Sequence, residues 1–234
     1  MHCLNAGKWM LKRLTFAACI LTYPKTKCMF HRFTVDEATY QLLQLLFSLP
    51  VVKNNFALAG GTSLSLQIGH RRSIDLDIFS TQQFDIKELE IILSSHPQLS
   101  FAFTNSNQRM LFSFINEIKC DFVHEPATLL QPFKQNDGVN YFSIPDIAAM
   151  KMHTICGRGK RKDFFDIYSL LQLYSWQEML QWFGKKYGDT QFYYLWRSIS
   201  YFADADEDVP IRGFAPFDKN WPDIKTFILA SCTR

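Results

Sequence analysis

Three aspartates and a pair of glycines carry the chemistry open to this sequence. Asp75 and Asp77 lie in Ser73-Ile74-Asp75-Leu76-Asp77-Ile78-Phe79, where charge alternates with aliphatic bulk as on a half-buried strand. Alternate strand residues share a face, so the two carboxylates project together, with Ile74, Leu76 and Ile78 expected in the core. Two acids about 6.5–7 Å apart can bracket a hard cation; with no cation they repel, and one is expected to protonate or move. In Lys119-Cys120-Asp121-Phe122-Val123, Lys119 and Asp121 share one face and Cys120 and Phe122 the other. If the two strands are neighbours, Asp121 completes a three-carboxylate site. Such a site suits two magnesium ions about 3.5–4 Å apart, which clamp attacking and leaving oxygens in phosphoryl-type transfer. Gly60-Gly61 has the matching property. A backbone without Cβ atoms can approach a triphosphate, and the helix start that follows offers N–H donors.

The elements that must position these residues follow from periodicity. Residues 35–49 read as a helix, with Thr34 and Glu37 at capping-box spacing and Pro50 as its stop. Residues 56–59 form a short buried strand running into Gly60-Gly61 and the helical turn 62–68. The acid strand covers 73–79, and a helix follows over 86–93, with Asp85 and Glu88 as a cap pair. Segments 99–104, 109–115 and 118–123 are extended, the last two joined by a turn at Asn116-Glu117. After a polar stretch at 135–140 the pattern becomes helical: from Pro145 or Asp146 to Cys156, from Asp163 to Tyr174, from a Ser175/Glu178 cap onward, and through the aromatic-rich remainder to Phe202. The chain therefore divides into an extension over 1–29, an α+β core over 30–143 and a helical domain over 144–234.

Composition sets outer limits. Of 234 residues, 47% are apolar and 20% charged, the balance of a globular protein. A formal charge of +3 leaves any grip on nucleic acid to local basic clusters. Cys3, Cys19, Cys28, Cys120, Cys156 and Cys232 include no CxxC and no zinc-finger spacing, which points to reduced thiols in the cytoplasm. Lys8, Lys12 and Arg13 precede an apolar run over 14–23, too short to span a bilayer. This segment reads as an amphipathic extension, or translation begins further in, for example at Met29. No membrane association is expected.

Each feature alone has a plain explanation. A Gly-Gly pair is commonly a tight turn, and a lone Asp-x-Asp is commonly a solvated strand face. Their order along the chain is what singles out one chemistry. The runs Leu58-Ala59-Gly60-Gly61-Thr62-Ser63-Leu64 and Gly69-His70-Arg71-Arg72-Ser73-Ile74-Asp75-Leu76-Asp77-Ile78-Phe79 together resemble the first motif of the AbiEii/AbiGii toxin-type nucleotidyltransferases, within the DNA polymerase β-like superfamily. Lys119-Cys120-Asp121 resembles that family's K-x-D motif. Lys151 followed by Arg161-Lys162-Asp163-Phe164-Phe165-Asp166 resembles its downstream lysine and K-D-x-x-D helix. The resemblance spans about residues 35–175 and leaves 1–28 and the stretch beyond Tyr174 uncovered.

The resemblance implies a minimal polymerase β-like fold, a mixed sheet with flanking helices, followed by a C-terminal helical domain. It implies transfer of an NMP from an NTP to an acceptor hydroxyl, with pyrophosphate released. The acceptor would be RNA, the tRNA 3′ end by preference, and the setting a type IV toxin–antitoxin or abortive-infection system with a cognate antitoxin. Asp75, Asp77 and Asp121 would hold Mg²⁺, or Mn²⁺ in its place. Gly60, Gly61, Thr62 and Ser63 would hold phosphates, and Lys119 and Lys151 would neutralise triphosphate charge. Asp163 and Asp166 would line the cleft from the helical side, although both are also explained as helix-start residues. Thr62 stands where a serine is common in such enzymes and keeps the hydroxyl, with Ser63 next to it. The clusters His70, Arg71, Arg72 and Arg158, Lys160, Arg161, Lys162 flank these residues and suit phosphate or RNA backbone, Arg72 foremost. His153 reads as a packed helix residue. The alternatives are a nucleotide-sugar glycosyltransferase, whose DxD also binds a metal–diphosphate, and a non-catalytic module that binds RNA or an antitoxin.

Overall fold

A computed structural model describes residues 29–232; residues 1–28 of the extension, with Cys3, Cys19, Cys28 and the apolar run 14–23, lie outside the described residues. Helix α1 (Glu37–Ser48) starts at Asp36, whose carboxylate accepts from the Thr39 N–H at 2.7 Å. The expected Thr34 cap is displaced. Thr34 sits in a 3-10 turn with its hydroxyl on the His31 carbonyl, while the charged Asp36 acceptor also suits the positive end of the helix. Pro50 ends α1 and opens a short helix α2 (Pro50–Asn55), where its missing N–H costs nothing.

Strand β1 (Ala57–Leu58) leads directly into α3 (Gly60–Ile68), and β2 (Leu76–Ser80) returns antiparallel to β1. Helix α4 (Ile86–Ser95) is capped by Asp85, which accepts from the N–H groups of Lys87 and Glu88. Strands β3 (Phe101–Asn107), β4 (Met110–Ile115) and β5 (Ile118–His124) form an antiparallel meander. The β4–β5 turn places Asn116 and Glu117 at φ 50° and 66°, which suits the twist of a two-residue hairpin. The polar stretch expected over 135–140 is instead a hairpin of β6 (Lys134–Asn136) and β7 (Val139–Tyr141), turning at Asp137-Gly138. The sheet is seven-stranded and mixed, in the order β3-β4-β5-β2-β1-β7-β6, with β2 parallel to β5 and β1 parallel to β7.

Helices α5 (Ile144–Gly157), α6 (Arg161–Leu171), α7 (Trp176–Tyr187), α8 (Phe192–Ser198), the short α9 (Ala203–Asp206) and α10 (Trp221–Cys232) complete the described chain. Ser143 caps α5, and Ser175 with Glu178 makes the expected capping box on α7. Helix α6 begins two residues earlier than expected, so Asp163 lies in its first turn, with Lys160 at the cap position. One hydrophobic cluster packs α1, α2 and α4 on Leu58, Leu76, Ile78, Leu111, Cys120 and Phe122. The other joins Ala57, Ala59 and Phe142 to the C-terminal helices. Period-2 alternation thus sends neighbouring β1 residues into different cores. Among the described residues, no helix is long and apolar enough to cross a membrane.

Candidate active site

The parallel pairing of β2 with β5 sets Asp77 directly opposite Asp121. In-register residues of neighbouring strands share a face, so the two carboxylates project from the same side of the sheet. Leu76, Ile78, Cys120 and Phe122 are fully buried on the other side and fix both strands. Asp75 precedes the first paired residue of β2 and is half-buried. Ile74, expected in the core, is 61% exposed, because the ladder begins only at Leu76.

Gly60 closes this site from the β1 side. Its φ is +63°, and a Cβ there would fall 2.1 Å from Asp77 Oδ2. A Cβ on Gly61 would fall 2.3 Å from Arg71 Nη2. Among the described residues no side chain caps α3, which leaves its first N–H groups beside Asp77 to meet an anion. The two hydroxyls expected on phosphate turn toward protein instead. Thr62 Oγ1 donates to the Asp75 carbonyl and lies 2.8 Å from Ser73 Oγ, tying α3 to the start of the acid strand. Ser63 is fully buried, and its Oγ accepts from Gln67 Nε2 at 3.1 Å.

Lysines lie against two of the acids. Lys119 Nζ bonds Asp121 Oδ2, and Lys162 Nζ lies 3.3 Å from Asp75 Oδ2. Among the described residues, no three histidine, cysteine or acidic side chains are gathered closely enough to hold a metal ion. With Asp121 turned to Lys119 and Asp75 to Lys162, the three carboxylates are not drawn to one point. The donor set still fits a hard divalent cation. It offers carboxylate oxygens only, Asp121 Oδ1 is buried with no hydrogen-bond partner among the described residues, and two ammonium groups lie against these acids. Burial pushes the Asp77 carboxyl above its ordinary value; Lys151 opposes this, and Asp121 and Asp75 add to it. That is the like-charge penalty expected of the cluster.

Behind the acids lies a buried ionic network. Asp166 is fully buried, with Oδ1 at 2.7 Å from His70 Nε2 and 2.6 Å from Arg71 Nε, and Oδ2 at 3.0 Å from Arg71 Nη2 and 2.7 Å from Lys151 Nζ. Lys151 also donates to Asp163 Oδ1 at 2.8 Å, and Arg158 Nε lies 3.6 Å from Asp163 Oδ2. Burial would raise the Asp166 carboxyl, but Arg71, Lys151 and the His70 bond outweigh it and hold it well below the usual range. Burial works against the Lys151 charge too, and the Asp166 and Asp163 carboxylates overcome it, raising that pKa. His70 goes the other way. Burial outweighs Asp166 and lowers it to about 4, and among the described residues its Nδ1 has no partner for a second proton. The ring is therefore neutral, donating through Nε2.

Several expected contacts are thus relocated. Asp166 has no open face for a nucleotide; it anchors Arg71 and Lys151. Asp163 is likewise buried and holds Lys151. His70 and Arg71 belong to the interior, and of that basic run only Arg72 is exposed. Arg161 is buried too, its guanidinium on the Ala205 and Asp206 carbonyls. His153 is exposed and stacks on Tyr187 at 4.3 Å rather than packing in the core.

A helix opening on a glycine pair, acids on adjacent parallel strands and helices behind them form a nucleotidyltransferase-type fold. MenT4, a nucleotidyltransferase toxin of Mycobacterium tuberculosis, shares it, with a TM-score of 0.50 at 13% identity over 83% of this chain and 81% of that one. JHP933 of Helicobacter pylori aligns over 85% of this chain and 94% of its own, at 15% identity and a TM-score of 0.45. An uncharacterised protein of Aquifex aeolicus, aq_aa25, is 30% identical over 191 residues, 80% of this chain and 90% of that protein. Residues 41–209 match the family model described as nucleotidyl transferase AbiEii toxin, type IV TA system. The chain belongs to this family and is a nucleotidyltransferase, which sets aside the glycosyltransferase and binding-module alternatives.

Proposed function

We propose that this enzyme moves an NMP from an NTP to an acceptor hydroxyl of RNA, the tRNA 3′ end by preference, with divalent-metal dependence. We place it as the toxin of a type IV toxin–antitoxin pair acting in the cytoplasm, with a cognate antitoxin as its partner. The observation that carries the reading is the register of Asp77 opposite Asp121 with Gly60 against Asp77.

Asp75, Asp77 and Asp121 would hold Mg²⁺ or Mn²⁺. When bound, the metal supplies positive charge to the triphosphate and lowers the pKa of an attacking hydroxyl. Gly60, Gly61 and the open start of α3 receive phosphate oxygens through backbone N–H groups. Arg72, exposed beside the acid strand, and Lys119 meet further phosphate charge. Lys151, clamped by Asp163 and Asp166, contributes a fixed positive field at Asp77. The acceptor oxygen attacks the α-phosphorus, a new P–O bond forms, and the bond to the β-phosphate oxygen breaks to release pyrophosphate. Asp121 would accept the hydroxyl proton or orient the hydroxyl.

The test is incubation with each labelled NTP, Mg²⁺ and total cellular RNA. Label in RNA with wild type and none with Asp77→Ala is the expected result. Equal labelling by a folded Asp77→Ala protein would overturn the assignment.

A further inference from the structure

The acid-bearing face of the sheet continues outward over strands that, among the described residues, no hydrophobic cluster covers. Pairing of β4 with β5 sets Phe112 opposite Asp121 and Phe114 opposite Lys119, so these side chains share the acids' face. Their alternates on β4, Leu111, Ser113 and Ile115, are buried on the other face. Phe112 is half-buried and Phe114 is 43% exposed, and neither belongs to either hydrophobic cluster. Beyond them, Ala102 and Asn105 of β3 pair with Phe114 and Phe112 and are exposed. Two phenylalanines held toward solvent beside a catalytic acid are not explained by packing.

The order of strands says what meets them. Gly60 and the start of α3 lie on the β1 side of Asp77, where the proposed function puts the leaving pyrophosphate. In-line displacement puts the attacking oxygen on the opposite side, over Asp121 and toward β4. Strands are about 4.8 Å apart, so β4 lies one strand beyond the third acid, within reach of the nucleotide that carries the attacking hydroxyl. Lys119 on the same face and exposed Arg109 at the tip of the β3–β4 hairpin supply charge for a phosphate backbone.

We infer that Phe112 and Phe114 form the stacking platform for the terminal bases of a single-stranded RNA acceptor. The inference rests on the acceptor being RNA, as proposed above. Flat aromatic faces bind bases without regard to sequence, which suits an enzyme that recognises an RNA end.

The test uses the full chain with Mg²⁺ and a labelled short single-stranded oligoribonucleotide, read by fluorescence anisotropy, with Mg²⁺–NTP affinity measured in parallel by calorimetry. The variants are Phe114→Ala and Phe112→Leu, which keeps apolar volume but loses the flat ring. Phe103→Ala is the control, because Phe103 pairs with Ser113 and is 49% exposed on the opposite face. Each platform variant is expected to weaken oligoribonucleotide binding at least about 5-fold while NTP affinity holds. The control should bind RNA as wild type does. Unchanged RNA affinity in both platform variants overturns the platform, while continued labelling of RNA by wild type leaves the proposed function standing. Loss of NTP affinity with RNA affinity intact also overturns it, by placing the incoming base there. Equal weakening by Phe103→Ala does the same, by showing non-specific apolar contact. Wild type that labels no RNA removes the functional reading, and this inference with it.

Discussion

Replacing Gly60 with alanine separates the cost of backbone strain from the cost of disturbing an acid. At φ +63° a Cβ strains the backbone by about 1–2 kcal/mol, which in a chain of this size lowers the melting temperature by about 2–8 °C. The same Cβ would stand 2.1 Å from Asp77 Oδ2, whereas a carbon–oxygen contact settles at about 3.3 Å. Asp77 must therefore retreat by about 1 Å, and a misplacement of that size costs about 100-fold in rate. Gly69→Ala is the comparator. Its φ is +71°, and a Cβ there comes nearest to the rings of His31 and Phe33, at 3.1–3.3 Å. Thermal melts should show similar losses for the two variants. NMP incorporation into RNA should fall about 100-fold in Gly60→Ala alone. A Gly60→Ala enzyme with wild-type incorporation, or a Gly69→Ala enzyme equally inactive, would refute the reasoning.

Three further outcomes follow from the buried network and the acids. Asp166→Ala leaves Arg71 and Lys151 buried without their shared carboxylate and should cost about 3–5 kcal/mol by urea unfolding; an unchanged midpoint would contradict the network's role. His70 has its folded pKa lowered from 6.5 to about 4, so the unfolded chain binds the extra proton first. Stability is full above pH 6.5 and declines as pH falls toward 4, by about 2 kcal/mol at pH 5, and His70→Gln should flatten that slope. Chelation with EDTA should abolish NMP incorporation without altering the far-ultraviolet circular dichroism, and Mg²⁺ should restore it. Activity persisting in EDTA would remove the metal from the account.

The layout of the candidate site was legible where it depended on residues close in sequence. Asp75-x-Asp77 and the Lys119/Asp121 face follow from period-2 alternation, and Gly60-Gly61 from a backbone without Cβ atoms ahead of a helical run. What sequence could not show was long-range pairing. Arg71 and Arg72 are adjacent and alike, yet only Arg71 finds a buried carboxylate, and that partner lies 95 positions away. His70 and Arg71 could have been suspected only from Asp166, an acid in a helix whose Phe164, Phe165, Ile167 and Leu170 mark it as buried, so that it needs buried partners. Ser63 resembles a phosphate ligand until Gln67, one turn along the same helix, claims its hydroxyl. The β6–β7 hairpin was missed although Asp137-Gly138 carries a turn signal, because its strands are three residues each and too short for alternation to register.

Manganese binding, followed by electron paramagnetic resonance in the presence of a non-hydrolysable NTP analogue, tests the shared cation seat most directly. Wild type should bind Mn²⁺ saturably, and Asp75→Asn, Asp77→Asn and Asp121→Asn should each lose that binding while remaining folded. Mn²⁺ uptake by Asp121→Asn indistinguishable from wild type would mean that the β5 acid takes no part in holding the ion.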